Sequence, residues 1–357
     1  ARNVRRIRQL VGPDILFYAV CKNNAYGCGA AECAVTMRDA GADAFAVSDP
    51  EDAERIRGAG VDAPILLYGA TAPDQAAAVA DLGLIVTIHD WAGLEAFARL
   101  QRPLQVHVEV DCGYGRLGFL PAEWPAAFAR LKAASHLDVI GLYTHLVRVE
   151  DKGAVGCQAG RLHRAIAEAR AAGFDALEVM AASSRTIIDY PELNFTAVNP
   201  GRMLYGMMDA PRDGASVSEP VIRSIKSRVL QVKSLPDGFL STDSAPTQGR
   251  ALRRTAVIAF GFKDGLPSEP DGGTVLVRGQ SAPIVGKRAT EHCIIDVTDI
   301  PGVKPGDEVV VVGSQGDHAI TPAEAANHYG LPIIELMARM SLNVPRIYSA
   351  ESDEMQQ

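Results

Sequence analysis

The chain reads as an α/β protein with an all-β continuation, an N-terminal (β/α)8 barrel followed by a C-terminal β domain. Three observations carry this reading. Eight short apolar runs alternate with Ala-rich amphipathic stretches between about residues 14 and 205. Alternation of that kind over some 200 residues is the pattern of a parallel (β/α)8 barrel, with a doubly wound open sheet as the competing layout. From about 223 to 313 the helical spacing stops and the runs become short and β-branched, punctuated by Gly, Pro and Asp. Between them D-A-P-R-D-G-A-S-V-S-E-P-V-I (209–222) is rich in Pro, Gly and Ser and reads as a linker. A length of 357 residues suits two domains, placed at 1–215 and 216–357.

The barrel strands follow in order as L-F-Y-A-V-C-K, A-F-A-V-S-D, I-L-L-Y-G, L-I-V-T-I-H-D, L-Q-V-H-V-E-V-D, V-I-G-L-Y-T-H-L, A-L-E-V-M-A-A-S and A-V-N-P-G-R-M-L. Segments such as A-A-E-C-A-V-T-M-R-D-A-G and E-D-A-E-R-I-R-G-A-G separate them, each with apolar residues at helical spacing and a Gly stop. The opening A-R-N-V-R-R-I-R-Q-L is basic and leads directly into a strand-like segment, without an apolar core or cleavage pattern behind it. Because the chain begins at Ala1, a leading piece is expected to be missing. In the second domain S-R-V-L-Q-V, T-A-V-I-A-F-G, T-V-L-V-R-G, A-P-I-V-G, I-I-D-V-T-D and E-V-V-V-V-G are the strands. One helix follows, with Thr321 as N-cap and Glu324 three residues on, as in a capping box. The tail E-S-D-E-M-Q-Q is polar and expected to fray.

A formal charge of −8 and a pI near 5.5 argue against nucleic acid or an anionic membrane as partner. Aromatics at 6% offer no base-stacking platform. No apolar stretch reaches the roughly 18–20 residues that a span requires. Six cysteines without a C-x-x-C pair read as reduced thiols of a cytoplasmic protein. Metal-ligand spacing, a P-loop, H-E-x-x-H and a nucleophile elbow are all missing from the sequence, and no metal is expected.

In a (β/α)8 barrel the chemistry sits at the C-terminal ends of the strands, so the residues closing each run are the candidates. The first run ends in Lys22. An ammonium at the tip of a buried strand is costly, and its amine can carry a carbonyl cofactor as a Schiff base. Taken alone, Lys22 also fits a strand-end lysine snorkelling to water. In the fifth run Leu104, Val106, Val108 and Val110 share one face, and His107, Glu109 and Asp111 the other. Polar groups aimed into a barrel need partners, and Arg116 is the candidate for Glu109, in a site or in a structural ion pair. His145 closes the sixth run, Ser183 and Ser184 the seventh, and N-P-G-R the eighth. There Gly201 lets backbone N–H groups approach an anion, and barrel phosphate sites often lie beside strands seven and eight.

Together these residues resemble the alanine racemase family, fold-type III enzymes that use pyridoxal 5'-phosphate, from about residue 3 to 348. A-V-C-K-N-N-A-Y-G-C-G is similar to the family's V-V-K-A-N-A-Y-G-H-G, which implies Lys22 as Schiff-base lysine and Tyr26 as a phosphate ligand. V-E-V-D-C-G-Y-G-R-L-G resembles L-K-V-D-T-G-M-G-R-L-G. A-S-S, V-N-P-G-R-M-L-Y-G, S-R-V-L-Q-V, A-P-I-V-G, D-V-T-D and N-V-P-R-I-Y follow in family order. The resemblance implies Ser184, Asn199, Gly201 and Arg202 at the cofactor. It also implies a head-to-tail homodimer whose sites lie between one barrel and the partner's β domain. The family's strand ahead of the barrel is largely missing at the start.

Five departures stand out. The family's second base is a tyrosine in G-Y-A-D-G; here the segment is G-F-K-D-G, with Phe262 in its place, Lys263 beside it and Asp264 retained. Phe262 has no proton to exchange. Asn199 stands where the family's V-R-P-G arginine holds the pyridine nitrogen unprotonated, and it can accept a hydrogen bond. Glu109 replaces an often carboxylated lysine and supplies negative charge directly. Thr290 replaces a methionine near the substrate carboxylate, and Leu342 a tyrosine that helps bind phosphate. The expected activity is chemistry at the α-carbon of a small amino acid, racemase-like with an altered second base. Lys263 is either that base or a clamp for the substrate carboxylate, or else a solvated surface lysine. One-base chemistry on the same scaffold (retro-aldol cleavage with His145 taking a hydroxyl proton, transamination or decarboxylation) is the alternative. A non-catalytic pyridoxal-phosphate-binding protein is the third reading.

Overall fold

The computed structural model describes residues 1–69, 71–208, 218–236, 253–269, 272–340 and 344–349. The chain divides into two compact units: residues 1–25 with 29–219, and residues 26–28 with 220–357. Leu342 and most of the 209–222 segment lie outside the described residues.

The first unit is a closed eight-stranded parallel barrel in sequential order, as the alternating pattern predicts, and not an open sheet. Its strands are β1 (Leu16–Val20), β2 (Ala44–Val47), β3 (Ile65–Leu67), β4 (Ile85–Ile88), β5 (Leu104–Glu109), β6 (Leu137–Tyr143), β7 (Glu178–Ala182) and β8 (Ala197–Val198). Closure is explicit in the register: β1 sets Tyr18 opposite Ala44 of β2 and Leu16 opposite Ala197 of β8. The strands are short because residues buried on both faces must be apolar or paired. Phe17, Ala19, Phe45, Leu66, Val86, Val106, Val108 and Leu142 all lie fully buried.

The basic opening segment, which leads into strand β1 as expected, is itself a helix, Arg2–Val11. Its arginines obscured the pattern, because the buried face is only Asn3, Val4 and Ile7. Asn3 makes that face specific: its Nδ2 donates to the carbonyls of Leu204 and Glu219 (2.9 and 2.8 Å), and its Oδ1 accepts from Glu219 N–H at 2.9 Å.

The second unit is antiparallel: β9 (Ile225–Ser234), β10 (Arg254–Ile258), β11 (Thr274–Val277), β12 (Gln280–Val285), β13 (Cys293–Asp296), β14 (Glu308–Gln315) and β15 (His318–Ile320). The order is β11-β12-β13-β10-β9-β14-β15, and a further β11–β14 pairing joins the ends of the first six. Closing the ring removes the edges that would otherwise invite association. Helix Pro322–His328 carries the expected capping box: Thr321 Oγ1 accepts from Glu324 N–H (3.1 Å), and Glu324 Oε2 accepts from Thr321 N–H (2.7 Å). A second short helix, Ile333–Ala338, and the terminal hairpin partner β15 have no counterpart in the sequence reading.

Candidate active site

All parallel strands of the barrel end at one mouth, and Lys22, His145, Ser184 and Asn199 follow strands β1, β6, β7 and β8 there. Lys22 follows β1 and opens an unusual turn. Asn23, Asn24, Ala25 and Tyr26 have φ of 53, 51, 54 and 52°, one turn of left-handed helix without a glycine. Such a conformation costs roughly 1–2 kcal/mol per residue and persists only where the surroundings impose it. Here Asp52, itself buried, accepts from Asn24 N–H at 2.8 Å and pairs with Arg55 at 2.7 Å. Ala25 N–H donates to the carbonyl of Cys21 (3.0 Å), and Asn24 Oδ1 accepts from Ala30 N–H (2.9 Å). The strained turn fixes where the Lys22 side chain leaves the barrel wall.

The electrostatics of this mouth are cationic. Burial lowers the Lys22 pKa, and the charges of Arg116 and Arg202 lower it further. His145, just beyond β6, is pushed down to about 4 by burial and then by Arg116, Lys22 and Arg202. Among the described residues neither Arg116 nor Arg202 makes an ion pair. Arg116 and Arg202 therefore lie close enough to act on both Lys22 and His145, which suits an anionic ligand and lowers the cost of deprotonating the lysine.

Glu109 belongs to a different layer. Its carboxylate accepts a hydrogen bond from Tyr143 Oη at 3.0 Å, and Tyr143 Oη also lies 3.2 Å from Thr87 Oγ1. Burial raises the Glu109 pKa despite that hydrogen bond and the charge of Arg116. The direct partner is thus Tyr143. Arg116 reaches Glu109 only through its field, because its guanidinium lies over the Tyr114 ring, 4.5 Å from the centroid. This corrects the expected Glu109–Arg116 pairing. Asp111, the third polar group of that face, turns to the loop beyond β5 and accepts three backbone N–H groups.

At strands seven and eight Ser184 Oγ accepts from the N–H groups of Gly201 (3.0 Å) and Met203 (3.1 Å). The amides expected to face an anion are gathered around the serine. Asn199 is buried; its Nδ2 donates to Tyr68 Oη at 2.8 Å, and its Oδ1 has no hydrogen-bond partner. An orphaned acceptor of this kind costs free energy unless a donor is supplied. Pyridoxal 5'-phosphate fits these residues: an amine of lowered pKa for its aldehyde, cations for its phosphate, and a buried acceptor for a protonated ring nitrogen. Sequence reasoning missed Tyr68, Thr87 and Tyr143, which line the barrel through hydroxyls. Each sits in an otherwise apolar strand run, so only the barrel's inward and outward alternation could have singled it out.

In the second unit, described by itself, Phe262–Asp264 is a single 3-10 turn. Phe262 N–H donates to the Ala289 carbonyl (3.0 Å) and Lys263 N–H to that of Thr290 (2.9 Å). A Cβ on Gly261 would meet the Thr290 and Ala289 oxygens at 2.4 and 2.5 Å, so glycine is required there. Asp264 closes the turn by accepting from Gly261 N–H at 2.9 Å. The turn brings Phe262, Lys263 and Thr290 together, and Lys263 Nζ stands 3.5 Å from Glu291 with both side chains about half exposed (52 and 57%). Tyr26 falls with this unit and is buried. No group of three or more potential metal ligands occurs among the described residues.

A closed parallel barrel with a desolvated lysine at its mouth, followed by an antiparallel β domain, defines the two-domain barrel class of fold-type III proteins. Residues 1–209 match the family model "Alanine racemase, N-terminal domain" and residues 222–348 match "Alanine racemase, C-terminal domain". The alanine racemase of Carboxydothermus hydrogenoformans is 33% identical over 339 residues, 92% of this chain and 91% of that protein. That of Symbiobacterium thermophilum is 33% identical over 357 residues, 98% and 94% of the two chains. The crystal structure of alanine racemase from Bacillus anthracis with bound L-Ala-P superposes with a TM-score of 0.88 at 26% identity, covering 98% of this chain and 92% of that one. The chain belongs to the alanine racemase family. No helix among the described residues is long and apolar enough to cross a membrane.

Proposed function

We propose that the protein is a pyridoxal-phosphate-dependent, racemase-like enzyme acting at the α-carbon of a small amino acid, with an altered second base. The observation that carries this reading is Lys22, held by a strained turn at the barrel mouth and desolvated beside Arg116 and Arg202. The cofactor, when bound, supplies an electron sink that acidifies the α-carbon. Lys22 holds and moves the α-proton at Nζ. Arg116 and Arg202 attract the anionic groups of cofactor and substrate. Ser184, which gathers the Gly201 and Met203 N–H groups beside strand eight, sits next to the phosphate, and His145, uncharged above about pH 4, adds no further positive charge. Asn199 accepts through Oδ1, favouring a protonated ring nitrogen where the family's arginine would keep it bare.

The second unit's turn completes the site of a partner subunit in a homodimer. Phe262 closes it with an apolar ring. Lys263, engaged with Glu291, contacts the substrate carboxylate together with Thr290 and does not act as the base. The domains act as 1–215 and 216–357, in the cytoplasm. The loss of a proton-carrying side chain at Phe262 favours one-base chemistry as the second reading. Incubating holoenzyme with one enantiomer of alanine or serine in deuterated water separates the two. Both enantiomers carrying α-deuterium support racemisation. A keto acid, an amine or an aldehyde product would replace it with the second reading. Borohydride must leave the cofactor covalently attached to the Lys22 peptide; a protein that takes up no cofactor overturns both.

A further inference from the structure

We propose that Tyr114 is a second acid–base residue of the barrel site, working opposite Lys22 from within the same chain; this rests on the reading of a pyridoxal-phosphate racemase above. Inversion at an α-carbon requires one group to take the proton and another to return one. Phe262 cannot do so, and Lys263 is engaged with Glu291.

The loop beyond β5 is built to present Tyr114. Asp111 Oδ1 accepts from the N–H groups of Gly113 (2.7 Å) and Tyr114 (2.8 Å), and its Oδ2 accepts from Gly115 N–H (2.7 Å). Gly113 and Gly115 have φ of 132 and 72°, backbone that side chains rarely adopt. A Cβ on Gly113 would also meet Arg161 Nη1 at 2.6 Å, the guanidinium that donates to the Cys112 carbonyl at 2.9 Å. The tyrosine between these glycines is thus held with its ring at the mouth, 43% exposed. Arg116 lies over the ring at 4.5 Å, and the His145 ring centroid is 5.7 Å away. Both neighbours are in the cluster that contains Lys22. Among the described residues no side chain or carbonyl hydrogen-bonds the Tyr114 hydroxyl, which leaves it open to a ligand.

In one direction Lys22 Nζ takes the α-proton and becomes an ammonium, while the electron pair stays at the α-carbon. Tyr114 Oη–H then gives its proton to that carbon and becomes a phenolate, with the Arg116 guanidinium 4.5 Å from its ring centroid. Water at the exposed ring returns a proton to Tyr114 and accepts one from Lys22, so the cycle closes. The reverse direction exchanges the two roles.

The test compares holoenzyme, Tyr114→Phe and Lys263→Ala with D- and L-alanine in deuterated water. The expected result is that Tyr114→Phe lowers interconversion by about 10²–10⁴-fold while α-proton exchange of one enantiomer, the Lys22 side, continues. Lys263→Ala raises KM a few-fold, as loss of a carboxylate contact would, and leaves the ratio of interconversion to one-enantiomer exchange as in wild type. Borohydride fixation at Lys22 is unchanged in both. As a readout independent of turnover, tetranitromethane nitrates Tyr114 in the unloaded protein, and loading with pyridoxal phosphate and alanine protects it. Interconversion retained in Tyr114→Phe, exchange limited to one enantiomer in wild type, loss in Lys263→Ala instead, or unprotected nitration overturns the proposal. Absence of cofactor fixation in wild type overturns the underlying reading as well, and is recognised by that signal alone.

Discussion

Two layers of the same barrel handle buried polarity in opposite ways. Toward the strands' N-terminal ends, Glu178 accepts a hydrogen bond from Tyr18 Oη and lies 3.1 Å from His107 Nε2. Burial works against the Glu178 charge, yet the hydrogen bonds from His107 and Tyr18 win and lower its pKa. The Tyr18 ring packs edge-on to His107 at 5.7 Å, and Gly141 makes the room: a Cβ there would strike the imidazole at 2.3 Å. At the mouth, burial and the charges of Arg116 and Arg202 lower the pKa of both Lys22 and His145, and the charge of Lys22 lowers that of His145 further. The lower layer satisfies its polar groups internally and specifies the barrel. The upper layer gathers cationic side chains at the barrel mouth, where an anionic ligand would be favoured.

That contrast can be broken at several points. Lys22→Ala should lower turnover by about 10⁴-fold or more, beyond the loss of a single general base, because the covalent tether goes with it. Thermal melting should show equal or greater stability, since a desolvated cation has been removed. A melting temperature that falls sharply would place Lys22 with the structural layer. Glu178→Ala should do the reverse, costing roughly 3–5 kcal/mol in urea unfolding as the buried pair with His107 is broken, with activity per folded molecule retained. Gly141→Ala should cost about 1–3 kcal/mol by overpacking the His107 ring.

The pH dependence of stability sharpens the same contrast. His145 titrates at 6.5 when unfolded and at about 4 when folded, so between those values the unfolded chain binds more protons. Stability of the unloaded protein should therefore rise with pH from 4 to 6.5, and His145→Asn should flatten that rise in melts recorded across the range. Smallest of all, Lys263→Ala should change stability by less than about 0.5 kcal/mol, as for other surface substitutions, and raise KM a few-fold with kcat nearly kept.

Much of this was legible in the residue order. The closed barrel followed from eight alternating runs, and the Thr321–Glu324 box from its spacing, because periodicity and capping are local properties. Lys22, His145 and Ser184 were singled out by their places after apolar runs, and the structure sets them just beyond β1, β6 and β7. The helix Arg2–Val11 escaped notice because its buried face is narrow and carries Asn3, whose partners Leu204 and Glu219 lie about 200 residues away. The Tyr143–Glu109 bond and the Asn199–Tyr68 bond were hidden for the same reason.

Sequence alone determined the fold class, the family and the place of Lys22 at the end of the first barrel strand, since these depend on pattern and on motif order. The tertiary structure decided which polar groups meet: that Glu109 is held by Tyr143, that Asn199 Oδ1 stays without a partner, and that two glycines and Asp111 lift Tyr114 to the mouth beside His145. Hydrogen bonds and fields act over a few ångströms through space, and barrel closure brings together residues that chain order keeps far apart.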